Sequence, residues 1–154
     1  MIIEIVRIIV ISLVGAIFAF LLQPWLYRSG IIPLTDVDPE VWVGDRYTVG
    51  VAIVFSVCII STLLWYVLTS KAKVARPEDR SFWRLMWWLF LLLPIISICV
   101  ALYFFNGSND ALLSLTGFYI LNALICFWLT TALNTPGALM YVAPGSSLRL
   151  LLGN

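Results

Sequence analysis

Tyr119, Asn122, Cys126, Thr130 and Asn134 interrupt the last long apolar stretch of the chain at steps of three or four residues. At 3.6 residues per turn that spacing puts them on one helical face. Such a face can hydrogen-bond to a neighbouring helix, or it can line a water-filled lumen when several copies surround one. An Asn amide turned towards hydrocarbon would lose its partners, so Asn122 is expected to point at another helix or a wet cavity. The first apolar stretch offers a matching surface, with Ser12, Gly15, Ala16, Ala19 and Gln23 on one small-residue face. Small faces let helix backbones approach closely, and the first helix is expected to pack by this one. Cys58, Ser61, Trp65 and Thr69 form a second mixed stripe, again read as packing.

Catalytic chemistry finds few carriers. The three cysteines, Cys58, Cys99 and Cys126, lie inside apolar stretches and form no C-x-x-C pair, which excludes the usual dithiol chemistry. With no histidine in the chain, histidine-ligated haem, histidine zinc sites and a histidine general base are excluded. No carboxylate falls in the middle of an apolar stretch, where ion-coupled transporters commonly keep one. Glu4 stands three residues from Arg7, on the same helical face, and an ion pair between them at the membrane boundary is expected. The run Asp36-Val37-Asp38-Pro39-Glu40 looks like a cation loop only in outline. A calcium loop needs glycine at its sixth position and glutamate at its twelfth, where this chain has Val41 and Tyr47. The same residues read as a helix start, with Asp38 as N-cap, Pro39 in the first turn and Glu40 near the positive helix end. No phosphate-binding glycine loop, nucleophile–base motif or internal repeat is present. An enzyme is not expected, and neither is a cofactor or a metal.

The elements that must position these residues follow from composition. Of 154 residues, 62% are hydrophobic and 11% charged, less than half the charged share of a soluble domain. So much apolar surface must face lipid. The chain reads as an all-α integral membrane protein, a single domain over 1–154 built as a four-transmembrane-helix bundle. Spans are expected at 5–26, 49–70, 83–105 and 112–133, each long enough for a hydrocarbon layer. The first is read as retained, since no small-x-small cleavage site precedes Gln23-Pro24-Trp25. A short interfacial helix is expected in the first outer loop, through Trp42. Pro94 should kink the third helix by removing a donor to Phe90, with Ser97 bonding freed backbone groups. Asn106-Gly107-Ser108 reads as a turn.

Lys71, Lys73, Arg76, Arg80 and Arg84 cluster in the second loop, whereas the first loop is mainly acidic and the third carries only Asp110. By the positive-inside rule the second loop and both termini are cytoplasmic, in a membrane of the bacterial inner type. Trp25, Tyr27, Trp42, Tyr47 and Tyr103 are expected as an outer aromatic belt, and Trp65, Tyr66, Trp83, Trp87 and Trp88 as an inner one. After Thr135-Pro136-Gly137 the apolar tail, 134–154, should lie along the interface or against a partner. The expected partners are membrane lipid and either further copies of the chain or other membrane subunits, with no nucleic acid, the net charge being only +1. The function expected is a noncatalytic subunit or self-assembling scaffold of a membrane complex, the alternative being an oligomeric channel or effector pore. Labels on Asp38→Cys and Ser108→Cys should react from outside, and on Lys73→Cys only once the inner face is opened. The reverse pattern would overturn the orientation.

Overall fold

In the computed structural model the described residues are 2–72 and 77–152, the side chains of 77, 151 and 152 excepted. Lys73 and Arg76 of the basic loop and the last two residues of the tail lie outside them. Among the described residues the regular structure is entirely helical. Four long helices, α1 Ile2–Arg28, α2 Pro39–Ser70, α3 Pro77–Phe105 and α4 Leu112–Asn134, are each long and apolar enough to cross a membrane.

All four helices extend beyond the expected spans at one end or both, α4 by a single residue, because backbone bonding continues where the apolar run stops. The clearest case is α2. Asp38 Oδ1 accepts the backbone N–H groups of Glu40 at 2.8 Å and Val41 at 3.3 Å. Pro39, which has no N–H to satisfy, occupies the first turn. Nothing after Trp42 breaks the helix: it widens into a π-type turn over Val43–Tyr47 and runs on through Thr48–Ser70. The segment expected to be a separate interfacial helix is therefore the beginning of α2.

The helices form a diamond in section. α2 and α4 touch at the centre, and α1 and α3 pack on opposite sides, each against both members of the pair. Two glycines set the closest approaches. A Cβ at Gly15 of α1 would lie 2.4 Å from Cys126 Sγ on α4, so only glycine fits there. A Cβ at Gly50 of α2 would lie 2.1 Å from the Tyr119 hydroxyl. In α3, Pro94 sits inside the helix. Ser97 Oγ donates to the Pro94 carbonyl at 2.7 Å, one turn beyond the Phe90 carbonyl that the proline leaves free.

Beyond α4 the chain turns at Thr135 and Pro136 and forms 3₁₀ turns over Gly137–Leu139 and Ser146–Leu152. Tyr141, at φ 72°, takes a left-handed conformation that its N–H bond to Ser146 Oγ, 2.8 Å, helps to hold. Leu139, Val142 and Ala143 are buried, and the last turns pack on the end of α4. The tail thus packs in part on its own bundle, while Tyr141 and Leu150 remain exposed. The start of α1, the end of α4 and the tail meet at one end of the bundle, here the terminal end; the opposite end is the loop end.

Gly50→Ala should destabilise the protein by about 1–3 kcal/mol through overpacking against Tyr119. Tyr119→Phe should be near neutral alone, since its buried hydroxyl has no partner to lose, and should recover much of the Gly50→Ala loss. Thermal unfolding of the four proteins in detergent tests this; additive effects would contradict the close approach.

Candidate functional site

The polar stripe of α4 faces the interior, and all five of its residues are buried. At its centre Asn122 and Gln23 of α1 exchange amide hydrogen bonds: Gln23 Nε2 donates to Asn122 Oδ1 at 2.9 Å, and Asn122 Nδ2 donates to Gln23 Oε1 at 3.1 Å. Gln23 Oε1 also accepts from the Tyr47 hydroxyl of α2 at 2.6 Å, so three helices meet at one carbonyl oxygen. Away from water each bond is electrostatically strong, and an unpaired amide there would be costly.

Backbone geometry explains why Tyr47 is placed here. Over Phe18–Leu22 the first helix widens, and the Gln23 N–H bonds back five residues to the Phe18 carbonyl. Pro24 has no N–H. Neither residue can then serve the Ala19 carbonyl, and the Tyr47 hydroxyl takes it at 2.8 Å, sharing its one proton with Gln23. The same arrangement recurs in α4. Over Leu124–Leu129 the helix is again wide, and the Thr130 N–H goes to Phe127. The Cys126 carbonyl accepts instead from Thr62 Oγ1 of α2 at 2.8 Å, and Thr130 Oγ1 bonds the Ile125 carbonyl at 3.1 Å. Widened turns with carbonyls served by hydroxyls are how apolar helices tolerate irregularity without water.

Towards the terminal end, two indole–threonine pairs join α2 and α3 to α4. Trp65 Nε1 donates to Thr135 Oγ1 and Trp87 Nε1 to Thr131 Oγ1, both at 3.1 Å. Each threonine passes its own proton to a carbonyl, Thr135 to Thr131 at 2.6 Å and Thr131 to Trp128 at 3.0 Å. Asn134 Nδ2 bonds the Thr130 carbonyl at 2.8 Å, while its Oδ1 has no partner.

The last carbonyls of α4 lack helical donors, and two arginines supply them. Arg7 Nη1 donates to the Leu133 carbonyl at 2.9 Å and Arg149 Nη1 to the Thr135 carbonyl at 2.8 Å. Arg149 also pairs with Glu4 at 3.2 Å. The expected Glu4–Arg7 pair is therefore replaced. Spacing puts both on one face of α1, but packing offers Arg7 an unbonded helix end and Glu4 a guanidinium from the tail.

At the loop end Asp36, Glu40 and Asp110 have structural partners. Asp36 accepts from Ser108 at 2.7 Å, Glu40 pairs with Arg28 at 3.1 Å, and Asp110 accepts from the Thr35 hydroxyl. Among the described residues no group of three or more His, Cys, Asp or Glu is arranged to hold a metal.

Sequence spacing identified the α4 stripe and the α1 small-residue face, of which Gly15 and Ala19 are buried and Ser12 and Ala16 half-buried. Neither pattern says that Gln23 is the partner of Asn122, 99 residues away. The aromatic belts require correction. Tyr27, Trp42, Tyr47, Trp65 and Trp87 are core side chains, whereas Trp25, Trp88 and Tyr103 stay exposed. The buried five find polar partners inside: Tyr27 with Ser114 at 2.8 Å and Trp42 with the Asn106 carbonyl at 2.6 Å complete the set. Comparison with protein-family models, curated proteins and solved structures finds no match.

Asn122→Leu and Gln23→Leu should each cost about 1–2 kcal/mol, because each strands a buried amide. The double variant should lose clearly less than the sum. Unfolding measurements giving additive losses would show that the two amides do not depend on each other.

Proposed function

We propose that the chain is a noncatalytic four-helix membrane subunit that takes part in a larger membrane complex, with itself or with other subunits. The observation that carries this reading is the burial of the α4 stripe inside the bundle, with Asn122 paired to Gln23 of α1 and, through Gln23, to Tyr47 of α2. The outward faces are apolar, with Leu13 and Leu21 on α1, Leu64 on α2 and Leu92 and Ile96 on α3 all exposed. Such surfaces suit lipid and other helices.

One stretch of that surface favours helix association in particular. Thr48, Ala52 and Ser56 follow one another at four-residue steps along α2, beside Val49, Ile53 and Val57, and bound a shallow groove of about 580 Å³. Small side chains there would let the backbone of another helix come close, the condition on which association in lipid depends. The alternative, an oligomeric channel or effector pore, needs a polar face turned outward, and the inward course of the α4 stripe counts against it. The proposed orientation keeps both termini and the basic loop on the cytoplasmic side of an inner-type membrane, from the excess of Lys and Arg in that loop.

Extraction in mild detergent, followed by native mass spectrometry, tests the reading. The chain should be recovered as an oligomer or with partner subunits, and Ser56→Leu should release monomers without changing the unfolding temperature. A monomer in every mild detergent would contradict it. Ion-selective conductance of the purified chain in planar bilayers would support the pore instead.

A further inference from the structure

The loop end holds a cleft that the packing account does not use. Its volume is about 370 Å³, and its lining includes Asp38, Val41, Trp42, Asp45 and Arg46 from the start of α2, with Gly107 opposite. The α2 residues recur at three- and four-residue steps, so one helical stripe carries carboxylate, guanidinium, indole and aliphatic groups together. Gly107, at φ 64°, brings the loop against it: a Cβ there would stand 3.2 Å from Arg46 Cγ and 3.3 Å from Trp42 Nε1.

The charges in this cleft are poorly used by the protein. Asp38 spends Oδ1 on capping the helix. Asp45 is exposed and makes no hydrogen bond or ion pair among the described residues. Arg46 reaches the Phe104 carbonyl with one Nη at 3.4 Å, a bond at the limit of length, leaving its other N–H groups without protein partners. Asp45 and Arg46, adjacent in sequence, line the same cleft without forming an ion pair with each other. A ligand that satisfies both must carry a cation and an anion a short distance apart.

Depth selects the ligand. α2 has 32 residues, about 48 Å at 1.5 Å per residue, against a hydrocarbon layer of about 30 Å. Exposed Lys71 follows its terminal end. Counting about 20 residues back from Ser70 puts the far edge of the hydrocarbon near Val51, with Asp45 and Arg46 one to two turns beyond it, in the headgroup layer. This step rests on the membrane insertion proposed above.

We propose that the cleft binds the headgroup of an aminophospholipid. Its primary ammonium donates to the Asp45 carboxylate, and its phosphate accepts from Arg46. Asp38, two turns further out, adds to the negative field around the ammonium. A choline headgroup fits less well. Its quaternary nitrogen has no N–H to give Asp45, and the cleft offers one aromatic ring, not a cage, with its indole N–H already held by Asn106.

The test is native mass spectrometry of the full chain in mild detergent. It is titrated in parallel with phosphatidylethanolamine, phosphatidylcholine and phosphatidylglycerol of identical acyl chains. The phosphatidylethanolamine adduct should exceed the phosphatidylcholine adduct by about threefold or more, a modest factor because the charges are exposed. Asp45→Asn should level the two lipids, and Arg46→Gln should weaken both. Both positions are exposed, and unchanged circular dichroism will show that the variants fold. Equal retention of the two lipids by the unaltered chain, or a preference that survives Asp45→Asn, would overturn the proposal. Strongest retention of phosphatidylglycerol, lost in Arg46→Gln, would reduce the cleft to an anion site and overturn it too. Failure of the assembly reading would leave these lipid ratios unchanged, whereas retention of no lipid at all would count against membrane insertion itself.

Discussion

Without water, a buried amide left unpaired is costly, and the Gln23–Asn122 amide pair is where the bundle meets that constraint. The pair joins the two helices that carry the chain's small-residue face and its polar stripe. Tyr47 adds α2 by donating to the same Gln23 oxygen. Close approach makes the contact possible: Gly15 admits Cys126, Gly50 admits Tyr119, and along α4 Asn122 lies between these two crossings. The widened turns at Phe18–Leu22, Val43–Tyr47 and Leu124–Leu129 adjoin the same core. In the first and the last a hydroxyl from another helix bonds a carbonyl of the widened turn, Tyr47 at Ala19 and Thr62 at Cys126, while in the second the Thr48 hydroxyl joins its own N–H on the Val43 carbonyl.

The rest of the bundle depends on that core being supported at both ends. At the terminal end Arg7 and Arg149 close the carbonyls of α4, and Arg149 ties the tail to Glu4, so first helix, last helix and tail are fastened together. At the loop end Trp42 and Asp36 hold the loop between α3 and α4 against the start of α2. Charged residues at both ends of the bundle thus serve as caps and ties. Together with the burial of the α4 stripe, this is the physical basis for reading the chain as a packing subunit.

Much of the fold was legible because long apolar runs have few alternatives to helix, and the residues Asp38 and Pro39 mark a helix start by their own chemistry. The inward stripe on α4 was equally visible from its spacing. What could not be read was which partner each group would find. The choice of Gln23 for Asn122, or of Arg149 over Arg7 for Glu4, depends on how helices far apart in sequence rotate and cross. The aromatics misled for a related reason. Trp and Tyr suit a membrane boundary and a hydrogen-bonded core alike, and only a threonine or serine standing opposite, as at Thr131, Thr135 and Ser114, decides between them. The part of the tail that packs on the end of α4 could not be read either, because only the turn at Thr135 and Pro136 brings the two together.

The central claim is that the polar stripe of α4 is sealed inside the bundle and paired with α1. The most direct measurement is nuclear magnetic resonance of the Asn122 side-chain amide in bicelles, read for exchange with water and for proximity to Gln23. The account predicts slow exchange, no cross-peak to water and a clear contact with the Gln23 amide. Rapid exchange and a water cross-peak, with no contact to Gln23, would contradict it and place Asn122 on a wet lumen.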